Sequence, residues 1–234
     1  MIKIAYQLTF HAVSHIGTGE GFAGFLDSIV VRDSDAHVYV PGSSIKGKTR
    51  AAARRLAQSL HLYSCPPDQP CPPTADGCII CAIFGSSQRA GRFYFDNVQL
   101  PSLYKDLLAD VHKYDPVRSR ELTTDRRTQV MLSRQRRSAR PDHLFTSELM
   151  QPDLPLTGSI VGNIVGQGDD ETVDIPAEAA LLWGALESIT HMGKSRSRGW
   201  GRCSIGVDLL WRDKSVERQL YIKALRSLVG KEQA

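Results

Sequence analysis

Ile2-Lys3-Ile4-Ala5-Tyr6-Gln7-Leu8-Thr9-Phe10-His11 carries an apolar or aromatic side chain at every even position up to Phe10 and a polar or small one at every odd position. A period of two over this length is that of a strand with one face buried. The same stretch has no basic segment followed by an apolar block and a small-residue cleavage site, so it reads as a strand and not as a secretory leader, and the expected compartment is the cytoplasm. Near the other end, Cys203, Ile205, Val207, Leu209 and Trp211 alternate in the same way and predict a final strand. Between these two, Ile45, Thr49, Ala52, Leu56 and Leu60 recur every three to four residues and predict a helix, with Ser43 or Ser44 as its N-cap. Arg92 to Leu100, centred on Phe93 and Phe95, and Leu156 to Val165 read as strands, the second apolar on both faces as a central strand is. Pro176 opens a second helix with Ala179, Leu182, Leu186 and Ile189 on one stripe, and Gly193 is its expected stop. The order β-α-β-β-α-β predicts an α+β, ferredoxin-like core, followed by a short terminal helix over Leu220 to Val229.

At 234 residues, 41% hydrophobic and 23% charged, the chain has ordinary globular usage, and no apolar run is long enough to span a bilayer. The reading is one domain over residues 1–234 with two insertions, a cysteine-rich loop at 61–90 and a basic segment at 104–154. Both are expected to be irregular, and loops of that length are usually functional.

The net charge of +4 conceals strong segregation. Residues 43–55 carry five Lys or Arg and no acid, residues 118–140 carry eight Arg against Glu121 and Asp125, and residues 193–202 carry four and no acid. A solvated surface usually intersperses both signs, so three separate basic blocks imply an extended polyanion, RNA above all, as partner.

Cys65, Cys71, Cys78 and Cys81 stand in the pattern C-x5-C-x6-C-x2-C, interleaved with Pro66, Pro67, Pro70, Pro72 and Pro73. So proline-rich a loop has no regular structure with which to hold its own shape, and a structural zinc on four thiolates supplies the missing free energy. Free thiols, or a redox pair at Cys78 and Cys81, are the alternatives. His61 offers a substitute ligand that four cysteines do not need. A catalytic zinc is disfavoured because four protein ligands leave no open position, and a deaminase because no His-x-Glu motif accompanies the C-x-x-C pair. Cys203 lies on the apolar face of the last strand and is read as core.

Gly42-Ser43-Ser44-Ile45-Lys46-Gly47-Lys48-Thr49 satisfies the P-loop pattern letter for letter. Its flanks do not, since Val38-Tyr39-Val40-Pro41 is a meagre strand and Leu107-Leu108-Ala109-Asp110, where a metal-binding acid would end a strand, looks helical. Nucleotide hydrolysis is therefore the minor alternative, while glycines, serines and lysines at a helix start remain apt for phosphate of any origin, including that of RNA.

These segments also resemble a known family. Gly24 to Asp33, followed by Tyr39 to Arg50, is similar to the N-terminal signature of the RAMP superfamily, in particular the backbone subunits of type III CRISPR effectors of the Csm and Cmr kind. Phe84-Gly85-Ser86 with Gly91 to Asp96 resembles the next block, Met192 to Arg202 the glycine-rich loop, and Arg127-Thr128-Gln129-Val130 with Leu144-Phe145 the thumb. The resemblance implies an RRM-like core, copies stacked along a guide crRNA beside other effector subunits, and a thumb separating guide from complementary target RNA. It places RNA contacts at Ser43, Ser44, Lys46, Lys48, Arg50, Arg127, Gly193, Lys194, Arg196, Arg198 and Gly199. In members that cut, the Asp matching Asp27 is catalytic. Gln135-Arg136-Arg137 departs from the family's small thumb turn.

RNA is cut by its own 2'-hydroxyl once the scissile phosphate lies in line, so the protein must chiefly position the strand and handle a proton or charge. Asp27 fits as proton acceptor or as ligand to Mg2+ or another divalent metal, and an Asx-turn is its structural alternative. Asp33 beside Arg32 reads as a turn with a local ion pair. The six basic residues Lys46, Lys48, Arg50, Lys194, Arg196 and Arg198 are expected to line one continuous groove.

Overall fold

The first strand, β1 (Ile2–Phe10), buries its even-numbered side chains and sits inside the main sheet, flanked on both sides by antiparallel partners. The computed structural model describes residues 2–19, 21, 26–66, 71, 78–163, 175–211 and 214–229. Along the chain β1 is followed by β2 (Tyr39–Val40), α1 (Gly42–Ser59), α2 (Ile79–Phe84), β3 (Phe93–Phe95) and β4 (Val98–Gln99). Then come α3 (Ser102–Tyr114), α4 (Pro116–Glu121), β5 (Thr124–Ser133), β6 (Ser138–Met150) and β7 (Leu156–Gly162). The chain closes with α5 (Ala177–Glu187), a 3-10 turn at Arg196–Arg198, β8 (Cys203–Trp211), β9 (Lys214–Ser215) and α6 (Arg218–Val229).

The main sheet runs β2-β4-β7-β1-β8-β9, with β3 also paired to β7, and every pairing is antiparallel. Strands far apart in the sequence pair here, with Ile2 of β1 opposite Trp211 of β8 and Phe10 opposite Cys203. Helices α1 and α5 pack on each other, and Ile45, Ala52, Ala53, Leu181, Leu182 and Leu186 join the even face of β1 in one core. The architecture is thus a mixed helix and antiparallel sheet fold. Among the described residues no helix is long and apolar enough to cross a membrane.

Several boundaries differ from the sequence expectation. Helix α1 begins at Gly42 after Pro41, without a side-chain cap, so Ser43 and Ser44 lie in its first turn and are not N-caps; the Gly42 N–H is taken by Asn97 Oδ1 at 2.9 Å. The strand over 92–100 is two short pieces because Asp96 and Asn97 turn their side chains to Ser159 and Gly42. Helix α5 ends at Glu187 with Ser188 at its C-cap, well before Gly193. Neither insertion is structureless: α2 lies in the first, and α3, α4 and the β5–β6 hairpin fill the second.

The hairpin forms its own two-stranded sheet, exposed toward its turn and buried at its base, where Leu149 and Met150 enter the interior. An isolated hairpin is marginal in water, so the base must be clamped. Glu148, only 1% exposed, supplies the clamp. Its Oε1 accepts from Arg32 Nη2 at 2.8 Å, Arg120 Nη2 at 2.9 Å and Thr124 Oγ1 at 3.3 Å, and its Oε2 from the Val30 N–H at 3.2 Å. Burial raises the Glu148 pKa, but the hydrogen bond and charge of Arg32, with help from Arg120, outweigh it and hold the carboxyl below the ordinary glutamate value. A depressed folded-state pKa stabilises the fold in full above the unfolded range and loses that contribution as pH falls through the folded value. Glu148→Gln should therefore cost about 2–3 kcal/mol at neutral pH, and the gap between the two proteins should close under acid below the ordinary glutamate range. Urea unfolding at several pH values measures both.

Candidate nucleic-acid interface and cysteine centre

The glycine-rich loop is built on the segment that follows β1. The Lys194 N–H donates to the His15 carbonyl at 3.0 Å, the Gly201 N–H to the Val13 carbonyl at 2.9 Å, and the Met192 N–H to the Gly201 carbonyl at 2.8 Å. Gly201 has φ +72° and a Cβ there would strike the Met192 carbonyl; Gly193, at φ +86°, would put one 2.5 Å from the His15 oxygen. Both positions therefore require glycine. The loop so fixed turns Lys194, Arg196 and Arg198 toward solvent. His15 beneath it is buried, and its Nδ1 bonds the Glu148 carbonyl at 2.7 Å, so that nitrogen carries the hydrogen. Burial, aided by the charge of Lys194, lowers the His15 pKa against the pull of that carbonyl, keeping the ring neutral. A single histidine in a polar stretch gave no sequence signal of this pivot.

Lys48 faces the loop. Burial and then the guanidinium groups of Arg196 and Arg55 lower its ammonium pKa. Burial pushes the nearby Cys203 thiol up to about 11, in keeping with a core cysteine. Lys46 and Arg50 lie elsewhere: with Arg54 they point into a cavity on the cysteine side of α1. The single groove expected for six cations is therefore divided by the helix, because residues 46 and 50 are one turn apart while 48 lies across the axis.

The P-loop reading does not survive. Residues 42–49 are the first two turns of α1, with Ser44 and Ile45 N–H groups bonded to the Pro41 carbonyl, so no loop of amides is open to a triphosphate. Thr49, the would-be magnesium ligand, is fully buried.

Asp27 lies beside the base of the hairpin. Its N–H donates to the Thr146 carbonyl at 2.9 Å, its Oδ2 accepts from the Thr146 N–H at 2.6 Å, and Ser28 and Ser147 form a parallel bridge next to it. The residue is exposed, as is Arg127, which pairs with Ser147 on the neighbouring strand. Among the described residues Asp27 belongs to neither group of three or more metal-ligating side chains. Gly24 and Phe25 lie outside the described residues. The hairpin residues that resemble a thumb do pair as such, Gln129 with Phe145 and Val130 with Leu144. Arg198 Nη1 donates to Gln129 Oε1 at 2.9 Å and joins the glycine-rich loop to the hairpin. Asp33 is a turn, accepting from the N–H groups of Asp35 and His37, although its ion pair is with Lys105 at 3.3 Å while Arg32 serves Glu148.

The four cysteine sulfurs converge. Cys65 Sγ lies 3.4 Å from Cys81 Sγ and 3.4 Å from Cys78 Sγ, Cys71 Sγ lies 3.8 Å from Cys78 Sγ, and all four are within 4.8 Å of one another and buried. Four Zn–S bonds of ~2.3 Å at tetrahedral angles set sulfurs about 3.8 Å apart, so the donor set fits the ion. His61 is not in the cluster. Contrary to a wholly irregular loop, Cys78 caps α2 and accepts the Cys81 N–H at 3.4 Å, so two ligands ride on a helix start. Burial works to raise the Cys78 thiol, but hydrogen bonds from the backbone of Cys65 and Cys81 bring it to about 7; burial and the adjacent sulfurs push Cys65 and Cys81 up. A bound dication removes that obstacle to four thiolates.

The sequence model of the RAMP superfamily matches residues 9–204. The chain belongs to the RAMP superfamily. Its fold is similar to that of a chain in the cryo-EM structure of the type III-B Cmr-beta complex bound to cognate target RNA, with a TM-score of 0.60 and 10% identity over 88% of this chain and 96% of that one. At that identity the likeness is one of fold. No curated protein matches the chain. In this RAMP protein the matched span contains the basic start of α1, the cysteine cluster, the hairpin and the glycine-rich loop.

Proposed function

We propose that this RAMP protein is a guide-RNA-binding backbone subunit of a type III CRISPR effector complex, working beside other effector subunits, and that it cleaves complementary target RNA through Asp27. The observation that carries the reading is the hydrogen bond from Arg198 Nη1 to Gln129 Oε1, which ties the basic glycine-rich loop to the exposed basic hairpin. The chain order of strands in the sheet supports a ferredoxin-like core over a single domain, with residues 61–90 and 104–154 as insertions. The cysteine centre, carrying zinc, has a structural role in this reading.

The residues divide the work. Ser43, Ser44, Lys48 and the loop cations hold successive phosphates of the guide, which positions the strand without reading its sequence. Arg127 and the hairpin lie where a second strand crosses. Asp27 accepts the proton of a target 2'-hydroxyl whose oxygen attacks the adjacent phosphorus; the phosphorus–5'-oxygen bond breaks and the departing 5'-oxygen takes a proton from water, leaving a 2',3'-cyclic phosphate and a 5'-hydroxyl. A second reading, the same scaffold holding RNA without cutting it, is favoured by the hydrogen bond that occupies Asp27 Oδ2.

Small RNA should co-purify in stoichiometric amount with the native assembly. In binding assays with purified protein, Lys48→Ala with Arg196→Ala should weaken affinity for every RNA sequence alike and lower the slope of log K against log salt by about 0.7 for each phosphate that is no longer neutralised. An unchanged slope would remove the basis of the proposal.

A further inference from the structure

His15 stands at a buried junction between the glycine-rich loop and the hairpin. Its segment is held from three sides. Ser14 and Met150 exchange backbone hydrogen bonds at 3.1 and 2.8 Å, the Val31 N–H donates to the Ile16 carbonyl at 3.0 Å, and the Lys194 N–H donates to the carbonyl of His15 itself at 3.0 Å. The side chain closes the joint, because its Nδ1–H donates to the Glu148 carbonyl at 2.7 Å, at the base of the hairpin. The opposite edge of the ring has no slack. A Cβ at Gly17 would strike His15 Nε2 and lie 2.9 Å from the Ile29 carbonyl, so the backbone of residue 17 rests against that edge. Nε2 is buried and has no hydrogen-bond partner, in a residue only 1% exposed. Arg198 with Gln129 adds a second tie between loop and hairpin, but an exposed one.

We propose that His15 is a positioning residue for RNA binding: its neutral imidazole locks the loop that carries Lys194, Arg196 and Arg198 to the base of the hairpin, and protonation at Nε2 releases it; this rests on the RNA-binding reading above. The imidazolium form would put a second N–H where no acceptor stands and a positive charge inside the fold. The charged groups that face the ring are Lys194 from the loop, which opposes that charge, and Glu148 from β6, which favours it but is already engaged by Arg32 and Arg120. With burial foremost, the balance holds the pKa below its ordinary value of 6.5. A loop that lifts away returns the ring to water and to that ordinary value. The docked loop therefore has its full stability above the ordinary value and loses it as pH falls from there toward the lowered one. A histidine in contact with phosphate behaves in the opposite sense, because protonation adds attraction to RNA.

The test is binding of a fluorescent single-stranded RNA to the purified full chain over a range of salt and between about pH 5.5 and 7.5, above the range in which Glu148 takes its proton. His15→Ala should lower affinity about tenfold at neutral pH with the salt slope unchanged, because the same phosphates are met by a loop that must first be ordered. His15→Asn, whose amide N–H replaces Nδ1–H and does not titrate, should restore most of that affinity. Relative to the asparagine variant, the wild-type chain should lose up to about tenfold in affinity per pH unit below the ordinary histidine value. The difference between the two profiles belongs to His15, whatever the exposed histidines contribute. Identical profiles, or a wild-type affinity that gains on the asparagine variant in acid, overturn the proposal. So does an alanine variant that binds RNA as the wild type does; if Lys48→Ala with Arg196→Ala still lowers affinity and slope, the RNA-binding reading stands without the lock. If the alanine variant fails to fold, the comparison of wild type with His15→Asn decides alone. If the wild-type chain binds no RNA, both the lock and the reading fall.

Discussion

Asp27→Asn is expected to slow cleavage of complementary RNA by a factor of about 100 to 10,000 while leaving guide binding and assembly unchanged. The structure makes asparagine the informative replacement. Asp27 Oδ2 accepts the Thr146 N–H, and an amide oxygen can accept the same bond, so the hairpin base keeps its tie. What the substitution removes is the charge and the ability to take a proton or hold a metal. Alanine removes the tie as well, and a comparison of the two separates chemistry from positioning: equal loss in both assigns the effect to the carboxylate, whereas loss in alanine alone assigns it to the hydrogen bond. Because Asp27 is exposed and anionic, it does not help hold phosphates, and affinity should survive either change. Undiminished cleavage by the Asp27→Asn assembly in a gel assay would leave the protein as an RNA-holding subunit.

Protein purified without chelator is expected to carry one zinc per chain, and Cys78→Ser to lose it together with about 3–5 kcal/mol of stability, a fall in melting temperature on the order of 10 °C. Serine is a preferred N-cap, so α2 should not suffer from the change itself, and the destabilisation reports the metal. The effect stays below that of a free-standing zinc finger because Ile80, Ile83 and Phe84, which lie beside the ligands on α2, are already part of the main core. Mass spectrometry of the intact protein and calorimetry make the two measurements. A zinc-free preparation with the same melting temperature would sink the assignment.

Much of this molecule was legible along the chain, and the reason is periodicity. The alternation at 2–10 and 203–211 returned as β1 and β8 with the boundaries read from it, because a strand with one buried face must repeat every second residue. The cysteine spacing identified four candidate ligands whose sulfurs do converge, since a proline-rich segment leaves few other ways to bury four thiols. The basic blocks carry the expectation of an anionic partner. None of these signals specifies which faces meet. The division of the α1 cations between two flanks depends on how the helix is rotated against α5 and α2, and the cavity that Lys46, Arg50 and Arg54 line with the turn after α2 joins residues that carry no shared sequence pattern. No sequence pattern singles out Glu148, yet Arg32, Arg120 and Val30 reach it from separate segments. His15 and Asp27 owe their surroundings to the same packing. The sequence alone settled the core strands and helices and the cysteine set, because these follow from local composition and spacing; only the tertiary structure decided which cations lie on the same flank of α1, what holds the hairpin and what touches Asp27, because those depend on long-range contacts that leave no period in the chain.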